Sequence, residues 1–210
     1  MLIKICGLKD TNTILCCENN GADYFGLIFY NKSSRYIDLS QAFKLIEFSK
    51  NKKIKPVGVF VNEKIDKVKS FIDKLELKYI QLHGSENNDY INEVKKTTKV
   101  NIIKAISIKN NQDFNILNNY KSNDLFLFDY KPEEGDLPGG NAKKFNWSLL
   151  SEKKIEKPWF LSGGINASNI NKIKNFTNPD GIDLSSGVED APGIKNNEMI
   201  NNLFKKYNAK

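Results

Sequence analysis

The feature that most restricts the fold of this chain is an alternation kept from one end to the other. Eight times, an apolar, β-branched run too short for a helix is followed by a segment with helical spacing. The pattern predicts strands over 2–5, 24–28, 55–60, 79–82, 101–105, 125–128, 159–161 and 182–184. It predicts helices over 9–19, 39–50, 65–74, 86–97, 111–120, 147–152, 167–175 and 198–207, with Asp38, Asn62 and Ser85 as candidate caps.

Strands that each lead into a helix must run parallel, because the helix carries the chain back across the sheet. Eight such units in 210 residues, with no linker-like stretch between them, predict a single-domain (β/α)8 barrel spanning residues 1–210. A doubly wound open sheet is the alternative. It would place a glycine-rich phosphate loop after the first strand, where this chain has only Cys6-Gly7. Small-residue loops instead follow the last two strands: Ser162-Gly163-Gly164, and Ser185-Ser186-Gly187 after Gly181-Ile182-Asp183-Leu184. Backbone N–H groups converging from two such loops suit one phosphate, and barrels carry phosphate there.

Composition removes other classes. No apolar run approaches the roughly 20 residues of a membrane span, and the first residues enter a strand at once, so no membrane partner and a cytoplasmic location are expected. Cys6, Cys16 and Cys17 make no disulfide framework, and with His83 the only histidine no zinc or other metal site is expected. The net charge of +7 comes from lysines scattered along helix faces, which argues against nucleic-acid binding. Of the 32 basic residues, only Arg35 is arginine. A lone guanidinium in a loop after a strand suggests a place that needs a planar fork for a carboxylate or phosphate.

In a barrel, chemistry sits at the C-terminal ends of the strands. Cys6 ends the first strand, either as a small buried hydrophobe or as a thiol whose pKa neighbouring cations could lower. Asp129 ends the apolar run Leu125-Phe-Leu-Phe128, either as a general acid or base or as an acceptor for loop N–H groups. His83 ends the fourth strand, where a structural role competes with a functional one. The loop over 130–144, with its Gly139-Gly140 pair, is long enough to be a binding element.

Taken in order, Lys4-Ile-Cys-Gly7, Ser33-Ser-Arg35, Val57-Gly-Val-Phe-Val-Asn62, Gln81-Leu-His-Gly84, Phe128-Asp129, Ser162-Gly-Gly-Ile-Asn166 and Gly181-Ile-Asp-Leu-Ser-Ser-Gly-Val-Glu189 span nearly the whole chain. The set resembles phosphoribosylanthranilate isomerase, a barrel enzyme of tryptophan biosynthesis. The resemblance implies conversion of N-(5′-phosphoribosyl)anthranilate to 1-(2-carboxyphenylamino)-1-deoxyribulose 5-phosphate, an Amadori rearrangement that needs no cofactor. It implies Cys6 as general base and Asp129 as general acid, with Arg35 on the anthranilate carboxylate. His83 and Asp183 would also meet the phosphorylated sugar substrate, and Gly140, Gly163, Gly164, Ser185, Ser186 and Gly187 would hold its phosphate.

One departure stands out. The family's loop ahead of the Trp147 segment ends in glycine where this chain has Ala142, in Gly139-Gly140-Asn141-Ala142. A Cβ there restricts positive φ and close backbone approach. The nearest rival is the histidine-pathway isomerase that performs the same rearrangement and resembles a two-aspartate site, with Asp where Cys6 stands. A non-catalytic phosphate-binding barrel is the other. Monomer and homodimer both remain open.

Overall fold

A computed structural model describes residues 1–131, 133, 145–151 and 153–209. Eight parallel strands close into a barrel in sequence order, with β1 paired to both β2 and β8. They are β1 (Leu2–Cys6), β2 (Tyr24–Ile28), β3 (Lys55–Phe60), β4 (Tyr79–Leu82), β5 (Asn101–Ile108), β6 (Leu125–Tyr130), β7 (Trp159–Leu161) and β8 (Gly181–Leu184). The open-sheet alternative is excluded by the β1–β8 pairing. The expected strand positions hold, although β5 runs on to Ile108 by pairing with β6 as far as Tyr130.

The α-helices are α1 (Thr11–Asn19), α2 (Leu39–Ser49), α3 (Ile65–Leu75), α4 (Asn88–Lys95) and α5 (Asn197–Asn208). Asp38 caps α2 in a reciprocal box with Gln41. The other two expected caps do not cap. Asn87 caps α4 in place of Ser85, and α3 starts after Lys64 without a side-chain cap bond. Asn62 is used elsewhere: at φ 49 its side-chain oxygen accepts from Ser85 N and Oγ, joining the loops after β3 and β4. The segments expected as helices over 111–120, 147–152 and 167–175 contain 3-10 turns at Asn111–Asn119, Trp147–Leu150 and Ile170–Asn175. The first is rich in Asn, a poor former of α-helix interiors. A short hairpin, β9 (Glu189–Ala191) with β10 (Ile194–Lys195), follows β8 and was not legible as strands.

Two apolar cores result. The larger lies between strands and helices, where residues such as Ile5, Phe25, Phe128, Ile182 and Leu203 are fully or almost fully buried. The smaller gathers Val57, Ile103, Ala105, Leu127 and Phe160. Side chains alternate along a strand, so Lys4 and Cys6 point the same way, as do Gln81 and His83, and Leu127 and Asp129. That alternation puts polar groups together where the strands end. Among the described residues, no helix is long and apolar enough to cross a membrane.

Candidate active site

One cavity at the C-terminal ends of the strands is lined by Cys6, Arg35, Gln81, His83, Asp129, Ser162, Asp183 and Ser185, together with apolar residues such as Val59. Cys6 and Asp129 reach it from β1 and β6, and both are buried. Gly26, the register partner of Cys6 on β2, makes room for the thiol: a Cβ at Gly26 would stand 2.5 Å from Cys6 Sγ and 3.0 Å from its Cα. This requirement could have been suspected from glycine inside an apolar strand.

Beneath the thiol, Lys4 is wholly buried and donates to both oxygens of Asp183, at 3.0 and 2.9 Å. Burial by itself would lower the Lys4 pKa; Asp183 and Cys6 together outweigh it and hold the ammonium above its ordinary range. Asp183 thus enters the site already paired, with a partner that sequence reasoning did not name. The Cys6 thiol is pushed up, chiefly by burial; Lys4 and Lys195 pull it down and Asp183 pushes it further up. The lowering that the sequence suggested for Cys6 is therefore outweighed by desolvation.

On the opposite side, Gln81 Nε2 donates to His83 Nδ1 at 2.6 Å when the imidazole proton is on Nε2. His83 Nε2 then faces Asp129 Oδ2 at 3.4 Å, while Asp129 Oδ1 accepts from Tyr130 N at 2.8 Å. The loops behind His83 are tied by Glu86, which accepts from Asn62 N, Gly84 N and Lys104 Nζ at 2.7, 3.0 and 2.9 Å. His83 is therefore placed beside Asp129 by its neighbours on the same strand and loop.

Arg35 stands on the loop that returns to β2 through an isolated bridge between Ile28 and Tyr36. Its guanidinium grips Glu189 with two hydrogen bonds, Nε to Oε1 at 2.8 Å and Nη2 to Oε2 at 2.7 Å. Glu189 also pairs with Lys195. Burial would raise the Glu189 carboxyl, but Arg35 and Lys195 overcome this and hold it below the usual range. Neither Glu189 nor Lys195 was picked out as a site residue; nothing in their spacing marks a contact with residue 35.

The residues expected to grip phosphate divide between two places. Ser185 lines the inner cavity, and its hydroxyl donates to the Cys6 carbonyl at 3.0 Å. Gly164, Ser186 and Gly187 line a neighbouring cleft with Asn166 and Ser168. Gly163 and Gly164 both adopt positive φ, and a Cβ at Gly187 would strike the Ile165 carbonyl oxygen at 1.9 Å. The loops after β7 and β8 can touch only because Gly187 has no side chain. Gly140, with the rest of 134–144, lies outside the described residues. Among the described residues, no group of three or more His, Cys, Asp or Glu side chains could hold a metal ion.

The family model for N-(5′-phosphoribosyl)anthranilate (PRA) isomerase matches residues 3–206. The chain belongs to the phosphoribosylanthranilate isomerase family. An N-(5′-phosphoribosyl)anthranilate isomerase of Mesorhizobium japonicum is 36% identical over 99% of this chain and 95% of that protein. Another, of Rhizobium rhizogenes, is 39% identical over 96% of this chain and 91% of its own. The crystal structure of the phosphoribosylanthranilate isomerase of Thermotoga maritima superposes with a TM-score of 0.87 at 32% identity, covering 98% of each chain. A family structure in complex with reduced 1-(o-carboxyphenylamino)-1-deoxyribulose 5-phosphate superposes with a TM-score of 0.83 at 30% identity, again over 98% of each chain. Membership in the isomerase family thus rests on the whole length of the barrel rather than on one motif.

Proposed function

We propose that residues 1–210 form one catalytic domain that isomerises N-(5′-phosphoribosyl)anthranilate to 1-(2-carboxyphenylamino)-1-deoxyribulose 5-phosphate, with Asp129 as general acid and Cys6 as general base. The observation that supports these roles is that a carboxyl and a thiol, both buried, line one cavity from β6 and β1.

The reaction needs one proton delivered and one removed. Asp129 protonates the ring oxygen, the furanose opens, and the nitrogen lone pair forms a Schiff base. That iminium makes the C2′ proton acidic, and the Cys6 thiolate takes it to give an enolamine. Proton return to C1′ from Cys6 and loss of the 2′-hydroxyl proton to Asp129 complete the ketone and restore both groups. His83, 3.4 Å from Asp129, would meet the sugar beside the acid. Arg35 takes the anthranilate carboxylate, and the loops after β7 and β8, with Gly140, take the phosphate at Gly163, Gly164, Ser185, Ser186 and Gly187. The substrate is then held at both ends across the reacting carbons. The histidine-pathway rival would carry a carboxylate in place of the Cys6 thiol.

The loss of fluorescence of N-(5′-phosphoribosyl)anthranilate, in an assay that supplies it continuously, tests the assignment. Turnover by the native chain is expected, and roughly 10²–10⁴-fold lower kcat in each of Cys6→Ser and Asp129→Asn with circular dichroism unchanged. Near-native turnover in either variant would remove that residue from the mechanism. Persistent fluorescence with the folded native chain would favour a binding barrel.

A further inference from the structure

Lys195, on β10, has no task in the scheme above, yet its side chain is almost completely buried beside the cavity. Its Nζ donates to the Ser185 carbonyl and to Ser185 Oγ, each at 3.2 Å, and pairs with Glu189. Each partner leads to a group with a proposed task. Glu189 carries the two hydrogen bonds from Arg35, and Ser185 Oγ donates to the Cys6 carbonyl at 3.0 Å. One ammonium therefore joins the proposed carboxylate clamp to the proposed base, through Ser185 and Glu189 of the segment that follows β8.

We propose that Lys195 is a positioning residue of the isomerisation, a buried positive charge that fixes Arg35 through Glu189 and the Cys6 strand end through Ser185. The proposal rests on the reading of Cys6 as base and Arg35 as clamp.

The charge arrangement around the thiol supports it. Lys4 and Lys195 both pull the Cys6 pKa down, against burial. Asp183, which binds Lys4, also acts on the thiol and pushes it up. Lys195 thus acts on the thiol alongside Lys4, each cation being paired with a carboxylate of its own. The cost of burying a lysine is visible in its own pKa, which desolvation lowers despite the attraction of Glu189.

The test is the pH dependence of Cys6 alkylation by iodoacetamide, resolved by peptide mass spectrometry from Cys16 and Cys17, alongside kcat and KM. Lys195→Met removes the ammonium that joins Ser185 to Glu189. It is expected to shift the Cys6 alkylation profile upward by about one pH unit, a roughly tenfold slower reaction at fixed pH, and to lower kcat at least as much. Lys195→Arg restores the charge and is expected to restore the profile. Lys195→Gln keeps hydrogen-bonding capacity for Ser185 and Glu189 without charge, and is expected to behave as Lys195→Met does; it serves if the methionine variant does not fold. An alkylation profile unmoved in a folded uncharged variant overturns the proposal. Alkylation reports the thiol directly, so this outcome is distinct from an active Cys6→Ser enzyme, which would overturn only the assignment of Cys6 as base.

Discussion

Lys4 and Asp183 are register partners on β1 and β8, and their side chains meet where the barrel closes, with Nζ 2.9 Å from one carboxylate oxygen and 3.0 Å from the other. The pair is separated by 179 residues in sequence and is buried on both sides. It floors the cavity that Cys6 lines, so its integrity sets both the closing seam and the electrostatics of the thiol.

Removing one partner leaves the other charge buried and unpaired. Lys4→Met is expected to cost about 3–5 kcal/mol of stability, and adding Asp183→Asn to it should recover part of that loss. Urea unfolding of the single and double variants measures both. A single variant as stable as the native chain would show that the pair is dispensable.

Gly26→Ala places a methyl 2.5 Å from Cys6 Sγ and 3.0 Å from backbone. The thiol must turn aside or the strands must part. The expected result is an overpacking cost of about 1–3 kcal/mol and, with the thiol displaced by about 1 Å, a kcat lower by roughly 10²-fold. Steady-state kinetics beside thermal unfolding separates the two effects, and unchanged kcat would mean the thiol tolerates the shift.

Arg35→Lys keeps the charge and loses the fork. A lysine cannot make the two parallel hydrogen bonds to Glu189, nor a bidentate contact with an anthranilate carboxylate. Loss of a charge-assisted bond of about 1.5–3 kcal/mol predicts KM higher by roughly tenfold or more with a smaller change in kcat. A KM equal to that of the native enzyme removes Arg35 as the clamp.

Glu189 gives a pH signature. Its carboxyl is depressed in the folded chain by Arg35 and Lys195, against the opposing effect of burial. A depressed carboxylate stabilises the fold above its unfolded pKa of about 4.3, and that contribution is lost as pH falls through the lower folded value. The stability difference between the native chain and Glu189→Gln should therefore be largest near neutrality and shrink on the acid side. Chemical denaturation across that range measures it; a difference that does not vary with pH would mean that the carboxylate is not held this way.

Much of the fold was legible because it depends on local pattern. Apolar runs such as 24–28 and 79–82 alternate with helical spacing, and the period alone announces parallel β/α units. Asp38 showed itself as a cap because capping acts over three residues. Where local preference was weak, as in the Asn-rich segment after β5, helix type was misread; α3 starts at Ile65 as expected, whereas α4 starts at Asn88 with Asn87 as its cap, Ser85 being bonded to Asn62 across loops.

What the chain by itself determined is the order of strands, the positions of their C-terminal ends, and hence Cys6, His83, Asp129 and Asp183 as residues that would share one face. Only the tertiary structure decided who holds whom: Asp183 with Lys4, Arg35 with Glu189, Lys195 with Ser185, and Gly26 against the Cys6 thiol. The physical reason is range. Strand period and capping are written within a few residues, whereas an ion pair across a barrel seam depends on register and closure, which bring together residues far apart in the chain.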